Sequence, residues 1–297
     1  MSELRAVAAL LDGLVDFAGL FPPAAMPMRD AVPAYARYVA GPAKAKLGRF
    51  VIPVGRLEEL VVAVDALPLE HAPGSNAPWR LSVLAGAADA ATLTAFDAAH
   101  GGRLVIDTVE AKADTVTDVE WLGAALGRRY FLYVEIPSHE DPALLVAAIK
   151  AQGFRAKIRT GGVVAEAFPA AADVLRFLAT CADARVPFKA TAGLHHPLRG
   201  EFALTYAADS ARGTMFGFLN VFLTAVLLHA GAPRADLVSL LEERDPRAIV
   251  ADDASIRWRG LAVTTAQIAA ARARFVGSFG SCSFEDPVRE LSTLQLA

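Results

Sequence analysis

Phe154-Arg-Ala-Lys-Ile-Arg-Thr160, the helical stretch 169–185 and Pro187-Phe-Lys-Ala-Thr191 read as strand, helix and strand. This unit decides the fold. Its two apolar runs lack the clean alternation of a half-solvated sheet, as expected of parallel strands covered by helices. Between them Pro169 stands at a first helical turn, and Val174, Phe177, Leu178 and Cys181 recur at helical spacing, so Cys181 is assigned to the core. Similar runs lie upstream at 49–54, 80–85, 103–108 and 130–136, with a further short strand expected at 14–17 after an opening helix. That makes seven β/α units before residue 200. An eighth strand must come from the C-terminal third, where Ser255-Ile-Arg-Trp258 and Arg274-Phe-Val-Gly-Ser278 compete. A count of eight without reversal of order predicts a (β/α)8 TIM-type barrel over a doubly wound sheet. Residues 1–297 are read as one such domain, with a helical elaboration at 200–253 and a surface loop at 70–78 before the third strand.

Composition narrows the function classes. Hydrophobic residues make up 54% and charged residues 21%, with a formal net charge of −3. Basic residues are scattered and not interleaved with aromatics, so no nucleic-acid partner is expected. Two cysteines, Cys181 and Cys282, exclude a disulfide framework or a cysteine-rich metal site. The N-terminus reads as an amphipathic helix and not as a signal peptide, which points to a cytoplasmic protein. The most apolar stretch, 214–229, is short for a bilayer span and carries Asn220, so it is read as a buried helix and no membrane partner is expected.

The chemistry is expected at the C-terminal ends of the strands, where barrels carry their sites. Lys157 and Lys189 stand there in apolar strands, and a lysine so placed must be desolvated or given a partner. Each precedes a Thr/Gly-rich turn that lets backbone approach a ligand. Snorkelling at a sheet rim is the alternative. Asp107 and Glu135 end their own strand readings, Arg159 shares a strand face with Lys157, and Asp16 joins from the first strand. Neighbouring cations and burial lower a lysine pKa, which would free Lys157 for Schiff-base chemistry with a carbonyl substrate. The same cluster equally serves as a clamp for a carboxylate or phosphate, with Arg159 gripping two oxygens.

The following loop brings His195, His196 and Arg199 above the mouth, one histidine as acid or base and the other packing. A metal held by these with Glu135 and His139 is an alternative to a cofactor-free site, but no His-x-His or His-x3-His spacing supports it. Gly280, Ser281 and Ser283 lie in a glycine-rich segment running into a last helix, which offers N–H donors to an anion, and Ser283 with Asp286 resembles a capping box. Cys282 lacks an assigned base and is read as a bystander.

Val105-Ile-Asp-Thr-Val109, Lys157-Ile-Arg-Thr-Gly161, Phe188-Lys-Ala-Thr-Ala-Gly193 and the late Gly/Ser loop together resemble the class I deoxyribose-phosphate aldolase group. The resemblance implies Asp107 as proton shuttle, Lys157 as Schiff-base lysine, Lys189 as its pKa-lowering neighbour, and Gly280, Ser281 and Ser283 near a substrate phosphate. Arg159, the His195-His196 pair and the segment after Gly200 depart from that pattern.

The expectation is therefore a cofactor-free lyase that acts on a small anionic carbonyl metabolite through a Schiff base at Lys157. The alternatives are a lyase, isomerase or transferase, metal-assisted or not, that uses the Lys/Arg cluster as an anion clamp, and a metabolite-binding barrel without catalysis. The apolar loop 18–24 and the Phe-rich 216–222 segment leave a homodimer open.

Overall fold

The computed structural model describes residues 3–74 and 77–294; Ser75 and Asn76, within the expected 70–78 loop, lie outside the described residues. In chain order the strands are β1 (Val15–Phe17), β2 (Leu47–Pro53), β3 (Trp79–Leu84), β4 (Leu104–Lys112), β5 (Phe131–Glu135), β6 (Arg155–Arg159), β7 (Phe188–Thr191), β8 (Gly200–Ala203), β9 (Arg212–Met215), β10 (Ile249–Ala251), β11 (Ser255–Trp258), β12 (Leu261–Thr264) and β13 (Val276–Ser281). Eight of them close a parallel barrel in the order β1-β13-β7-β6-β5-β4-β3-β2, and helices alternate with them. The chain is a (β/α)8 barrel.

The eighth barrel strand is β13. Its residues are buried on both faces with one intermediate position, as the barrel wall requires. In β11 Arg257 is exposed between buried Ile256 and Trp258, the alternation of a one-sided sheet, and β11 is the middle strand of a small antiparallel sheet with β10 and β12. Residues 200–253 are helical only in part: β8 and β9 form an antiparallel hairpin before helix Phe218–His229.

Every residue of that helix from Phe218 to Leu228 is buried. A helix apolar all round must be enclosed, and this one is the crossover between β7 and β13. Phe222 stacks on Phe188 of β7 and Phe218 on Phe279 of β13, with ring centroids 6.0 and 5.5 Å apart. Asn220, buried in it with Thr224 as a polar residue, accepts from the Arg199 amide at 2.9 Å and donates to the carbonyls of Leu240 and Glu243. Its side chain thus pins the loop after β7 and the short helix Leu237–Leu241 to one point. Among the described residues no helix is long and apolar enough to cross a membrane. Preceding β7, helix Ala171–Ala184 starts after Pro169 and buries Val174, Phe177, Leu178 and Cys181.

Register sets which side chains meet. In the ladders Glu135 pairs with Lys157, and Lys157 with Lys189, so neighbouring strands carry these three residues at one level. Between β3 and β4 the pairing advances from Leu81↔Ile106 to Ser82↔Thr108. Asp107 is the extra residue of that bulge, and beyond it Glu110 pairs with Leu84 of β3 and Tyr133 of β5.

Candidate active site

Six charged side chains inside the barrel alternate in sign. Arg159 Nε donates to Glu135 Oε1 at 3.0 Å, and Glu135 Oε2 lies 2.7 Å from Lys157 Nζ. Lys157 Nζ is also 2.7 Å from Glu110 Oε2; Glu110 Oε1 accepts from Lys189 Nζ at 2.6 Å, and Lys189 donates onward to Asp16 Oδ2 at 2.7 Å. Three cations and three carboxylates balance, which is what makes burial of so many charges tolerable. Hydroxyl and amide donors complete the carboxylates: Ser82 on Glu110 and Ser278 on Asp16, each at 2.6 Å, and the Arg49 amide on Asp16 at 2.7 Å. Gly48 is a spatial requirement, because a Cβ there would overlap Asp16 Oδ1.

The two lysines are not equivalent. Lys189 is 1% exposed and donates two well-formed hydrogen bonds. Burial disfavours its charge, but Asp16 and Glu110 more than offset this and hold it as an ammonium above the ordinary lysine range. Lys157 is held by ion pairs of 2.7 Å to both Glu110 and Glu135, and it lines a cavity that Lys189 does not reach. Burial raises the Glu110 carboxyl, yet the charges of Lys157 and Lys189 prevail and carry it well below the usual range. Glu135 is lowered too, by Lys157 and Arg159 against the effect of burial. Its Oε2 is buried and receives no hydrogen bond from the described residues.

Asp107 stands apart. Its carboxylate pairs with Arg49 and Arg80, each at 2.5 Å, toward the N-terminal ends of β2 and β3. The carboxylate between the lysines is Glu110, three residues further along β4. Lys189 does not stand as a bare cation beside Lys157, since it pairs with Asp16 and Glu110.

The cavity opens at the C-terminal ends of the strands, with a volume of about 310 Å³. Lys157 and Glu110 form its charged floor with Arg159 at the side; Phe21, Pro22, Pro23, Val51 and Leu84 make an apolar wall. The loop 18–24 therefore faces the site. Opposite, the two Thr/Gly turns cross: Gly161 and Gly193 approach so closely beneath Phe168 that a Cβ on either would meet the other's Cα at about 3.0 Å or less. Ala192 and Gly193 both adopt positive φ, +64° and +72°, and Thr160 Oγ1 holds the Ala192 carbonyl at 2.7 Å. The backbone is thereby fixed at the cavity rim.

His195 lines this cavity, whereas His196 packs face to face on Phe202, centroids 3.4 Å apart, with Nδ1 2.7 Å from Glu290. Burial and the proximity of His196 push the His195 pKa down to about 4, so its imidazole is neutral near pH 7. Its Nδ1 lies 3.4 Å from Ser281 Oγ and 3.9 Å from Cys282 Sγ. Burial raises the Cys282 thiol, so it is not an imidazole-activated thiolate. Arg199 turns over the Phe216 ring at 4.6 Å and does not line the cavity. Gly280 lines it; Ser281 Oγ donates to the Ser283 carbonyl, and Ser283 Oγ accepts from the Asp286 amide at the start of helix Glu285–Thr293. His139 lies near Glu140, and among the described residues no group of three or more His, Cys, Asp or Glu side chains is arranged to hold a metal ion.

Glu110, Ser82 and Ser278 were not among the residues singled out from the sequence. The available signal for Glu110 was a lone acidic residue inside Val109-Glu-Ala111, obscured because the strand reading stopped at Thr108. Comparison with models of known protein families gave no match, and comparison with curated proteins gave none either. A (β/α)8 barrel with a charged cavity at this end is compatible with an enzyme, but the fold by itself carries no particular reaction.

Proposed function

We propose that this barrel is a cofactor-free aldolase-type lyase that forms a Schiff base between Lys157 and a small anionic carbonyl compound. One observation carries the reading: of the two buried lysines only Lys157 faces the cavity, while Lys189 lies beneath it as a permanent ammonium. Attack requires a neutral amine. Glu135 is the acceptor for the departing proton, because its Oε2 lies 2.7 Å from Nζ and takes no other donor among the described residues, and Glu110 is held more strongly ionised by two lysines.

The Lys157 amine adds to the carbonyl carbon, and the carbonyl oxygen leaves as water, with Glu135 returning its proton. The resulting protonated C=N draws the electron pair of the neighbouring carbon–carbon bond as it breaks. The proton from the β-hydroxyl goes to neutral His195, which lines the cavity, and an enamine and an aldehyde or ketone remain. Reprotonation of the enamine and hydrolysis free the lysine. Lys189 would stabilise the ionised Glu110 throughout.

The test is intact mass after incubation with a panel of aldehydes, 2-oxo acids and sugar phosphates followed by borohydride, with K157A and K189A in parallel. An adduct lost in K157A supports the reading. No adduct with any carbonyl compound in the folded wild-type protein refutes it. The pairing of Lys157 with two carboxylates favours one other reading, in which it stays an ammonium and stabilises an anionic intermediate while Glu135 moves protons. In that case turnover survives borohydride with no mass change.

A further inference from the structure

We infer that the substrate carries a carboxylate on, or one carbon away from, its carbonyl group, and that Arg159 grips it; a 2-oxo acid is the simplest such compound. The inference rests on the Schiff-base reading and narrows its substrate class from anions in general to carboxylates.

Three observations lead there. Arg159 and Lys157 project from the same face of β6, and Arg159 is 44% exposed at the cavity. Its Nε is committed to Glu135 Oε1, which orients the guanidinium plane, while its terminal nitrogens bond none of the described residues. Such a fork presents two parallel donors to a planar carboxylate. Spacing is the second observation. A single carboxylate, Glu135, bridges Arg159 and Lys157 through its two oxygens, so the two cations are separated by little more than one carboxylate and two polar contacts. A carbonyl carbon bonded to Nζ therefore has a carboxylate in reach of Arg159 only if the two groups are adjacent or nearly so.

The third observation concerns the late loop, where a phosphate would be expected. There the helix Glu285–Thr293 is already furnished with acids. Glu285 and Asp286 occupy its first turn, and Ser283 caps the Asp286 amide. Burial raises the Asp286 carboxyl, but hydrogen bonds from Ser283, Tyr206 and Arg289 outweigh this and keep it ionised. These acids carry the same sign as a phosphate placed at Gly280–Ser283 and disfavour its charge there, whereas the cavity side with Arg159 offers a cation.

The experiment uses the full-length protein and its R159M variant with glyoxylate, acetaldehyde and glycolaldehyde phosphate, trapped with borohydride and read by intact mass. Arginine removal should raise the half-saturating glyoxylate concentration on the order of ten-fold or more relative to that of acetaldehyde, the loss of a charge-assisted contact; the comparison cancels whatever both aldehydes lose when Glu135 is left without Arg159. R159K should recover part of the loss. An equal response of both aldehydes to R159M, or preferential trapping of the phosphorylated aldehyde, overturns the carboxylate assignment while leaving the Schiff base standing. No adduct with any of the three in the wild type removes both. The acetaldehyde adduct in R159M also shows that the variant is folded and competent.

Discussion

Lys157 and Lys189 share one carboxylate: Glu110 takes Lys189 through Oε1 at 2.6 Å and meets Lys157 through Oε2 at 2.7 Å. Only Lys157 adjoins the cavity. The relationship separates the two lysines into an upper group that can react and a lower one that holds the frame, and the consequences for stability differ accordingly.

Replacing Lys189 by methionine leaves Asp16 and Glu110 buried with one ionic partner fewer between them. K189M should lose roughly 3–5 kcal/mol of unfolding free energy, the usual cost of breaking a buried ion pair. K157M should cost less, because Glu135 keeps Arg159 and Glu110 keeps Lys189. Urea unfolding of both variants at pH 7 decides; an equal loss would contradict the asymmetry.

Asp107 and Glu110 can be told apart by their effect on chemistry. D107N disturbs only the pairing with Arg49 and Arg80 and should leave the rate of borohydride-trapped adduct formation within about two-fold. E110Q removes the carboxylate that pairs with both lysines and should slow it by about a hundred-fold, a loss of the size expected when the charge that orients a catalytic group is removed. A slow D107N beside a normal E110Q would restore Asp107 to the role that the resemblance implied.

His195 predicts a particular shape of the stability profile between neutral and mildly acidic pH. Its folded pKa, lowered to about 4 by burial, lies below the unfolded value of 6.5. The folded state therefore resists its protonation: the contribution is complete above pH 6.5 and is lost as pH falls toward 4. H195N cannot take that proton and should lose less stability than the wild type between pH 7 and pH 5. Glu110 and Glu135, whose pKa values are depressed, act only lower, as pH falls through and below the ordinary carboxylate range. Thermal denaturation across pH 5–7 for both proteins measures the difference.

A methyl group at position 48 tests the packing around Asp16. G48A would overlap the carboxylate oxygen that accepts the Arg49 amide, so Asp16 must move or the strands must part. A loss of about 1–3 kcal/mol is expected, as for overpacking in a core. An unchanged midpoint in urea would show that the carboxylate has room.

Much of this arrangement could be read from residues alone, for a physical reason. Lys157 and Lys189 announced themselves because a long cation in an apolar strand demands partners, and the parallel character of the strands followed from burial on both faces. The identity of the partners was less accessible. Glu110 enters the network through a bulge at Asp107, and a one-residue change of register is not encoded in any local pattern. The eighth strand was ambiguous because β13 contains Gly277 and Gly280, which weaken the strand signal, whereas Ser255–Trp258 reads as a good strand and is one, in another sheet. The β8–β9 hairpin escaped because four-residue strands leave too short a pattern.

The hydrogen bond from Ser278 to Asp16 spans 262 positions of the chain. Until β13 docks between β1 and β7, Asp16 lacks that donor and the barrel has a gap beside Lys189. Closure of the barrel and completion of the charge network thus depend on the same contacts, and their wide separation in sequence is of the kind that slows folding. A chain stalled before that step would carry an open sheet edge flanked by ionised side chains. Formation of the site therefore reports that the whole ring has closed.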